Sequence, residues 1–330
     1  MIASRVYDLG SGDHFLELPG FLPPFGTFLK LEGLNPAGSI KIKTARKMIA
    51  SAEAQGLVSP DVELIESTSG NLGLALAVIC AAKGYRITLV TDPNANARTL
   101  RHIRALGATV VVVDRRDRAG GYLQTRIDYI RARVATEPHL LWLNQYANPA
   151  NPAAHRVHTM TEIVTGFGTP DWLFVGTGTC GTLMGCVQGV REQGLPTTVV
   201  AVDAVGSVTF GGAPARRWIP GIGASRAPEL FADDGSFRKT AVQEVDTVRM
   251  CRRVARRYGL LLGGSSGSAL AAVAAMRNEI PAGSRVLVIS PDMGDGYLDT
   301  IYDDAWVAER LGPAALTQDR PTRVHDSVRV

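Results

Sequence analysis

Cysteine is scarce and scattered in this chain of 330 residues: Cys80, Cys180, Cys186 and Cys251 stand far apart, with no CxxC pair among them. That spacing argues against a disulfide framework, and two of the four sit in apolar helical runs, so a reduced, cytoplasmic protein is expected. Long apolar runs are missing too. None approaches the roughly 18 residues of a membrane span, and the N-terminus carries no long apolar segment, so no membrane role is expected. Nor does one charge sign dominate. Lys plus Arg number 35 against 31 Asp plus Glu, a net charge of +4, with arginines dispersed through helices. This excess suits small anionic substrates better than a nucleic-acid face, and a solvated basic surface explains most of it. The histidines show no metal-ligand spacing. His155 and His158 lie at i, i+3 without an acidic motif, which favours packing or surface roles over a metal site.

What is present is an alternation of strand-like and helix-like segments over almost the whole length, with 45% apolar residues. Strands are expected at 28–31, 63–65, 86–90, 109–113, 140–143, 172–175, 198–202 and 286–289. Helices are expected from Lys41, over 72–82, 97–106 and 122–134. Such alternation implies an α/β fold with parallel sheets. We expect two domains: a smaller one over 39–149, and a larger one formed by 1–38 plus 150–312, with the site in the cleft between them. The polar stretch 313–330 is expected to be a frayed tail.

Chemistry concentrates at two loop-to-helix junctions. In Asn35-Pro-Ala-Gly-Ser-Ile-Lys41, Ser39 is placed to cap a helix whose first turn carries Lys41. Lys41 has surface-cation neighbours in Lys43, Arg46 and Lys47, and only the surrounding motif singles it out. In Ser67-Thr-Ser-Gly-Asn-Leu-Gly73, a tight turn joins a strand to an apolar helix whose first N–H groups are free to hold an anion. A third junction, Gly176-Thr-Gly-Thr-Cys-Gly181, is a literal G-x-G-x-x-G after a strand, with Asp203 closing the next one. Two readings stand for it. One is a dinucleotide fingerprint. The other is a cradle for a single phosphate, made by the N–H groups of Gly178, Thr179, Cys180, Gly181 and Thr182 and the two threonine hydroxyls. The dinucleotide reading leaves Lys41 and Asn71 unexplained.

These junctions resemble the fold-type II pyridoxal-phosphate enzymes of the cysteine synthase and cystathionine β-synthase family. The resemblance runs on through Asn144-Gln-Tyr-Ala-Asn-Pro149, Gly178-Thr-Cys-Gly-Thr182, Pro220-Gly-Ile-Gly223, Gly263-Gly-Ser-Ser-Gly267 and Pro291-Asp-Met-Gly-Asp-Gly-Tyr297. It covers the chain to about Ala308. Within the family, Glu66 to Gly73, Gly120-Gly-Tyr-Leu-Gln-Thr-Arg126, Val202 to Ser207 and Gly221-Ile-Gly-Ala-Ser-Arg226 are similar to the N-(2-amino-2-carboxyethyl)-L-glutamate synthases. Those enzymes join phosphoserine to glutamate on the way to 2,3-diaminopropionate.

The resemblance implies pyridoxal 5'-phosphate as cofactor, a homodimer, and β-replacement chemistry in which Lys41 forms the cofactor Schiff base and then moves the Cα proton. It places Asn71 at the pyridoxal 3-oxygen, though a turn-capping role for Asn71 is also open. It assigns the substrate α-carboxylate to Thr68, Ser69 and Gln145. Arg126, Tyr146 and Arg226 are the candidates for anionic substrate groups, with exposed surface arginines as the alternative. Three departures matter. Ile42 and Lys43 replace the family's usual acid and arginine after the lysine, and Gly178 stands where the subgroup has a serine. Asp292 and Met293 follow Pro291 where a hydroxyl residue often contacts the pyridine nitrogen, leaving Ser266 and Asp292 as alternatives for that contact. The activity expected is β-replacement on O-phosphoserine with glutamate as nucleophile. A sulfide-using cysteine synthase is the alternative, and a dinucleotide-binding protein the remote one.

Overall fold

A computed structural model describes residues 3–10, 14–68, 70–117 and 120–317. The chain builds two sheets. Strands β3 (Glu63–Ser67), β4 (Arg86–Thr91), β5 (Thr109–Val112) and β6 (Leu140–Trp142) form one, in the order β5-β4-β3-β6. Its pairings are all parallel. The second sheet takes β1 (Phe15–Glu17), β2 (Gly26–Leu31), β7 (Trp172–Gly176), β8 (Thr198–Ala204), β9 (Arg238–Val242) and β10 (Arg285–Ser290), in the order β1-β2-β10-β7-β8-β9. Only β1 runs antiparallel, against β2. Parallel strands covered on both faces read as unbroken apolar runs, and Val286 to Ile289 are each 0% exposed. All eight strands expected from sequence are present; β1 and β9, short or polar, gave no such run.

Helices cover both faces. Beside the four-stranded sheet lie α1 (Lys41–Ala54) and α2 (Asn71–Lys83), which share one core with Leu64, Ile87 and Leu89. Helices α3 (Ala97–Ala105) and α4 (Leu123–Thr136) complete this part, α4 closing the opposite face through Ile130 against Ile65 and Val90. One continuous helix, α5, spans 150–167 with two π-helical stretches, and packs against α6 (Gly181–Glu192). Helices α7 (Glu244–Tyr258) and α8 (Gly264–Ala275) bury the other face of the six-stranded sheet, and α9 (Asp304–Leu311) follows. Among the described residues no helix is long and apolar enough to cross a membrane. Order extends past Pro313: Pro313–Leu316 forms a turn whose Ala315 is buried in the large core. The remainder of the expected tail, from residue 318, lies outside the described residues.

Two features of this fold position the site. In a parallel sheet, the loops leaving the strand C-termini share one edge, and a crevice opens where neighbouring loops diverge. Here β3 lies between β4 and β6, so the loop after β3 and the loop after β6 part at such a point. The second feature is a stripe of glycine on α6. A Cβ at Gly181 would fall on the Asn151 amide, one at Gly185 on the Pro152 carbonyl and His155, and one at Gly189 on Met160. The absent side chains let α5 lie directly against the start of α6. Gly185→Ala is therefore expected to destabilise the protein by about 1–3 kcal/mol through overpacking. The midpoint of urea-induced unfolding measures it, with Gly194→Ala unsuitable as a control because its φ is +60°.

Candidate active site

Lys41 opens α1 at the C-terminal edge of the six-stranded sheet. The preceding residues are tied to the loop after β10: Ile40 N–H donates to the Pro291 carbonyl (2.8 Å), and Ser39 pairs with Asp292. The Ser39 hydroxyl accepts from Lys41 N–H at 3.4 Å, the bond expected of a helix cap, with Ile40 between them already in helical backbone. Burial lowers the Lys41 pKa, while the nearby Cys180 and Asp292 act in the opposite direction. A lysine shifted this way holds more of its neutral, nucleophilic form near neutral pH.

Around this amine stand two groups of polar residues. The first is Asn71, Asp292 and Tyr297. Asn71 begins α2, and its side-chain N–H donates to Asp292 Oδ2 at 2.7 Å; the Tyr297 hydroxyl donates to the same oxygen at 2.8 Å. Burial raises the Asp292 pKa against these partners and Lys41, and Oδ1 is buried with no hydrogen-bond partner. Ser266 is fully buried in α8, 2.9 Å from the Ser290 hydroxyl at the end of β10.

The second group is the start of α6. A helix of 12 residues presents its first N–H groups here, the arrangement that binds a phosphate. Cys180 takes a left-handed backbone (φ 65°) to enter the helix, a conformation strained for any residue with a Cβ. Its buried Sγ makes one long contact to the Gly178 carbonyl, and burial pushes the thiol up to about 12, so it is neutral. Gly178 faces the Gly221 carbonyl of the loop before β9. Thr179 Oγ accepts from Asn151 at 3.2 Å, and Thr182 Oγ lies 3.3 Å from His155 Nε2. Asn151 and His155 are both 0% exposed, and both also reach Thr44, one turn beyond Lys41. Burial and the charges of Lys41 and Lys43 hold the His155 pKa well below its usual value, so the ring is neutral. Sequence reasoning gave Asn151 no role and His155 only a packing or surface one. The available signal was a polar pair at i, i+4 within Ala150-Asn-Pro-Ala-Ala-His155.

The residues expected to bind substrate fall into three classes. Thr68, Gln145, Tyr146 and Arg126 belong to one neighbourhood at the ends of β3 and β6. The Thr68 hydroxyl accepts from the N–H groups of Gly70 (3.3 Å) and Gly73 (3.1 Å), which leaves its own proton free to donate. Gln145 Nε2 donates to the Ser67 carbonyl at 2.7 Å, and the Tyr146 hydroxyl donates to the same oxygen at 3.3 Å. Arg126 is 6% exposed, with Nε 3.4 Å from Asp92 Oδ2 but not aligned for a hydrogen bond; Nε and Nη1 have no such partner. Its charge reaches Glu66 and Tyr146, lowering the pKa of each against the larger effect of burial. Ser69 lies outside the described residues. Arg226 is held in a surface ion pair with Glu229, and no contact among the described residues brings it to this neighbourhood.

The arrangement fits pyridoxal phosphate. It offers an amine shifted toward neutrality, a helix start for the phosphate, and an unpartnered buried carboxylate oxygen on the residue that holds Asn71. A model of the pyridoxal-phosphate-dependent enzyme family matches residues 11–292. Two relatives are described as N-(2-amino-2-carboxyethyl)-L-glutamate synthase. The one from Ralstonia nicotianae is 42% identical over 311 residues, covering 93% of this chain and 92% of that protein. The one from Cupriavidus metallidurans is 42% identical over 285 residues, covering 85% and 84%. Among solved structures, O-ureido-L-serine synthase superposes with TM-score 0.84 at 29% identity, over 93% of this chain and all of that one. An O-acetylserine-dependent cystathionine β-synthase from Helicobacter pylori gives TM-score 0.85 at 27% identity, over 92% and 100%.

The neutral, buried Cys180 thiol makes a prediction. Cys180→Ser is expected to keep cofactor affinity and activity, because the loop uses this residue's backbone. Equilibrium dialysis of the cofactor beside steady-state rates checks it, and loss of activity with cofactor retained assigns the thiol a chemical role.

Proposed function

The chain belongs to the pyridoxal-phosphate-dependent enzymes, and from that premise we propose that it joins O-phospho-L-serine to L-glutamate, giving N-(2-amino-2-carboxyethyl)-L-glutamate and phosphate. The reaction class is β-replacement: a group on the substrate β-carbon leaves, and a nucleophile takes its place. Bound pyridoxal phosphate supplies the electron sink for charge that develops at Cα. Lys41 Nζ removes the Cα proton and later returns one, which its lowered pKa favours. The N–H groups from Gly178 to Thr182 would hold the cofactor phosphate, with Thr179 and Thr182 able to donate their hydroxyl protons. Asn71, held by Asp292, would contact the 3-oxygen of the bound cofactor. Asp292 Oδ2 is committed to Asn71 and Tyr297, and the Ser266 hydroxyl would contact the pyridine nitrogen, with Asp292 Oδ1, which has no partner, as the alternative.

Thr68, Ser69 and Gln145 receive the substrate α-carboxylate. Within residues 39–149, the gating unit over 1–38 plus 150–312, the part that moves is the loop after β3, which closes on the carboxylate to keep water out. The observation that carries the substrate assignment is Arg126. A buried guanidinium with two nitrogens unsatisfied calls for an anion beyond Asp92. Phosphoserine and glutamate both bring such anions, and sulfide needs none. Arg226, paired with Glu229 at the surface, has no part in this assignment. A homodimer is the family's usual assembly, and four buried free cysteines suit a reducing cytoplasm.

Two outcomes test this reading. Lys41→Ala is expected to lower steady-state turnover by at least about a hundredfold and to remove the visible absorbance of the lysine-bound cofactor. Arg126→Ala is expected to raise KM for phosphoserine by roughly ten- to a hundredfold, from the ~1.5–3 kcal/mol of hydrogen bonds to charged groups. Mass spectrometry of products formed with glutamate, sulfide and other amines in competition decides the nucleophile. If sulfide with O-acetylserine outcompetes glutamate by kcat/KM, the enzyme is a cysteine synthase.

A further inference from the structure

Glu66 is the penultimate residue of β3, and it is 0% exposed. A buried carboxylate is costly unless donors surround it. Here three N–H groups converge on it. Oε1 accepts from Ser67 N–H at 2.8 Å and Trp142 Nε1–H at 3.3 Å, and Oε2 accepts from Gln145 N–H at 3.1 Å. The last of these depends on Asn144, which takes a left-handed backbone (φ 52°) immediately before Gln145. A return bond runs from Gln145 Nε2 to the Ser67 carbonyl at 2.7 Å. The end of β3 and the loop after β6 are thus clasped together, and they part at the crevice where Thr68 and Gln145 stand.

We propose that Glu66 is a positioning residue, whose carboxylate fixes Gln145 and the Thr68 loop in register as one receptor for the substrate α-carboxylate. The inference rests on the reading of Thr68 and Gln145 as carboxylate ligands. Glu66 acts through the N–H groups it accepts and not as a charge felt by the substrate. The two actions have opposite signs. As a bare negative charge, Glu66 would repel an anion and its neutralisation would tighten binding. As a clasp, its neutralisation turns one acceptor into a donor facing a donor, and binding weakens.

Protonation gives the clasp a pH dependence. Burial raises the Glu66 pKa to about 7, against the three donors and the charge of Arg126. The groups facing it are Arg126 from α4, itself beside Asp92, the Trp142 indole from β6, and Tyr146 from the following loop. A carboxyl with a raised pKa is neutral below about 7 and charged above it. The clasp is therefore complete at higher pH and loosens as pH falls through that value.

The test uses the cofactor-loaded enzyme and O-phosphoserine. Glu66→Gln is expected to raise KM, and the Kd read from the visible spectrum, about tenfold, the size of one lost hydrogen bond. Cofactor affinity and kcat should change far less. The limb near pH 7 in the parent's KM profile should vanish in the variant, while the substrate phosphate, with its own pKa of about 6, contributes equally to both. Tighter or unchanged binding in Glu66→Gln, or an unchanged limb, overturns the proposal. Trp142→Phe removes one donor without touching the substrate, and is expected to move the limb to higher pH. An unmoved limb there overturns it even if Glu66→Gln does not fold. Gln145→Ala separates the two layers of argument: unchanged KM in that variant sinks the carboxylate-receptor reading, and the clasp's functional role with it.

Discussion

Thr44 holds the two halves of the site together. One turn after Lys41, its hydroxyl meets Asn151 Oδ1 at 3.2 Å and His155 Nε2 at 3.1 Å, and those two residues continue to Thr179 and Thr182 at the start of α6. The reactive amine and the phosphate cradle are therefore spaced by a chain of hydrogen bonds, buried at Thr44 and partly buried where it reaches Thr179 and Thr182. Each link is neutral: a hydroxyl, an amide, and an imidazole whose pKa burial drives well down. Neutrality matters because a charged histidine beside Lys41 would add repulsion inside the same low-dielectric space. The glycine stripe on α6 serves the same end. Without it, α5 stands further off and Asn151 loses Thr179.

Below this network lies a second one, built from charge. Lys30 in β2 and Lys43 in α1 alternate with Glu32 and Glu162: Lys30 lies 2.7 Å from Glu162 and 3.6 Å from Glu32, and Lys43 reaches both carboxylates. Burial opposes ionisation of Glu162, yet the two lysines pull its pKa below the usual value. Each charge has two opposite neighbours, so removing any one leaves the others buried and uncompensated. This accounts for two of the sequence departures. Lys43, in place of the family's arginine, completes the square, and Ile42, in place of the acid, is 3% exposed in the core of the four-stranded sheet. Local contacts change while Lys41 keeps its position.

Much of the fold and the heart of the site were legible because their determinants are local. Apolar runs between turn residues located the parallel strands, and loop-to-helix junctions located Lys41, Asn71 and the cradle. What was not legible depends on partners far along the chain. Nothing near Arg226 in sequence distinguishes it from Arg126, yet α4 buries Arg126 beside Asp92 while Glu229 keeps Arg226 at the surface. Ser39 reads as a cap and its hydroxyl does accept from Lys41 N–H, while its pairing with Asp292 of the loop after β10 has no local signal. Asp292 and Ser266 are alternatives for one contact, and no local pattern shows that Asp292 Oδ2 meets Asn71, 221 positions away, while Oδ1 has no partner. Glu66 appears in the sequence only as the first residue of a resembling stretch, because two of its three donors, Trp142 and Gln145, lie far along the chain.

These ties also constrain how the site can open. A rigid swing of everything from 39 to 149 would break both Thr44 bonds and the ion pairs of Lys43, all of them buried. The links from α2 and α3 to the far side differ in kind. Asn96 reaches the Gly296 carbonyl at 3.3 Å and Arg98 the Asp295 carbonyl at 3.4 Å, both exposed and long. Bonds of that sort exchange with water at little net change in free energy. Asn71 to Asp292, at 2.7 Å and partly buried, is a stronger tie on that side. Motion that spares the base of α1 and bends the β3 loop with α2 and α3 thus meets the least resistance. Such a hinge leaves Lys41 and the cradle fixed, and the Glu66 clasp fixed with them, because Asn151 Nδ2 holds the Gln145 carbonyl at 2.9 Å.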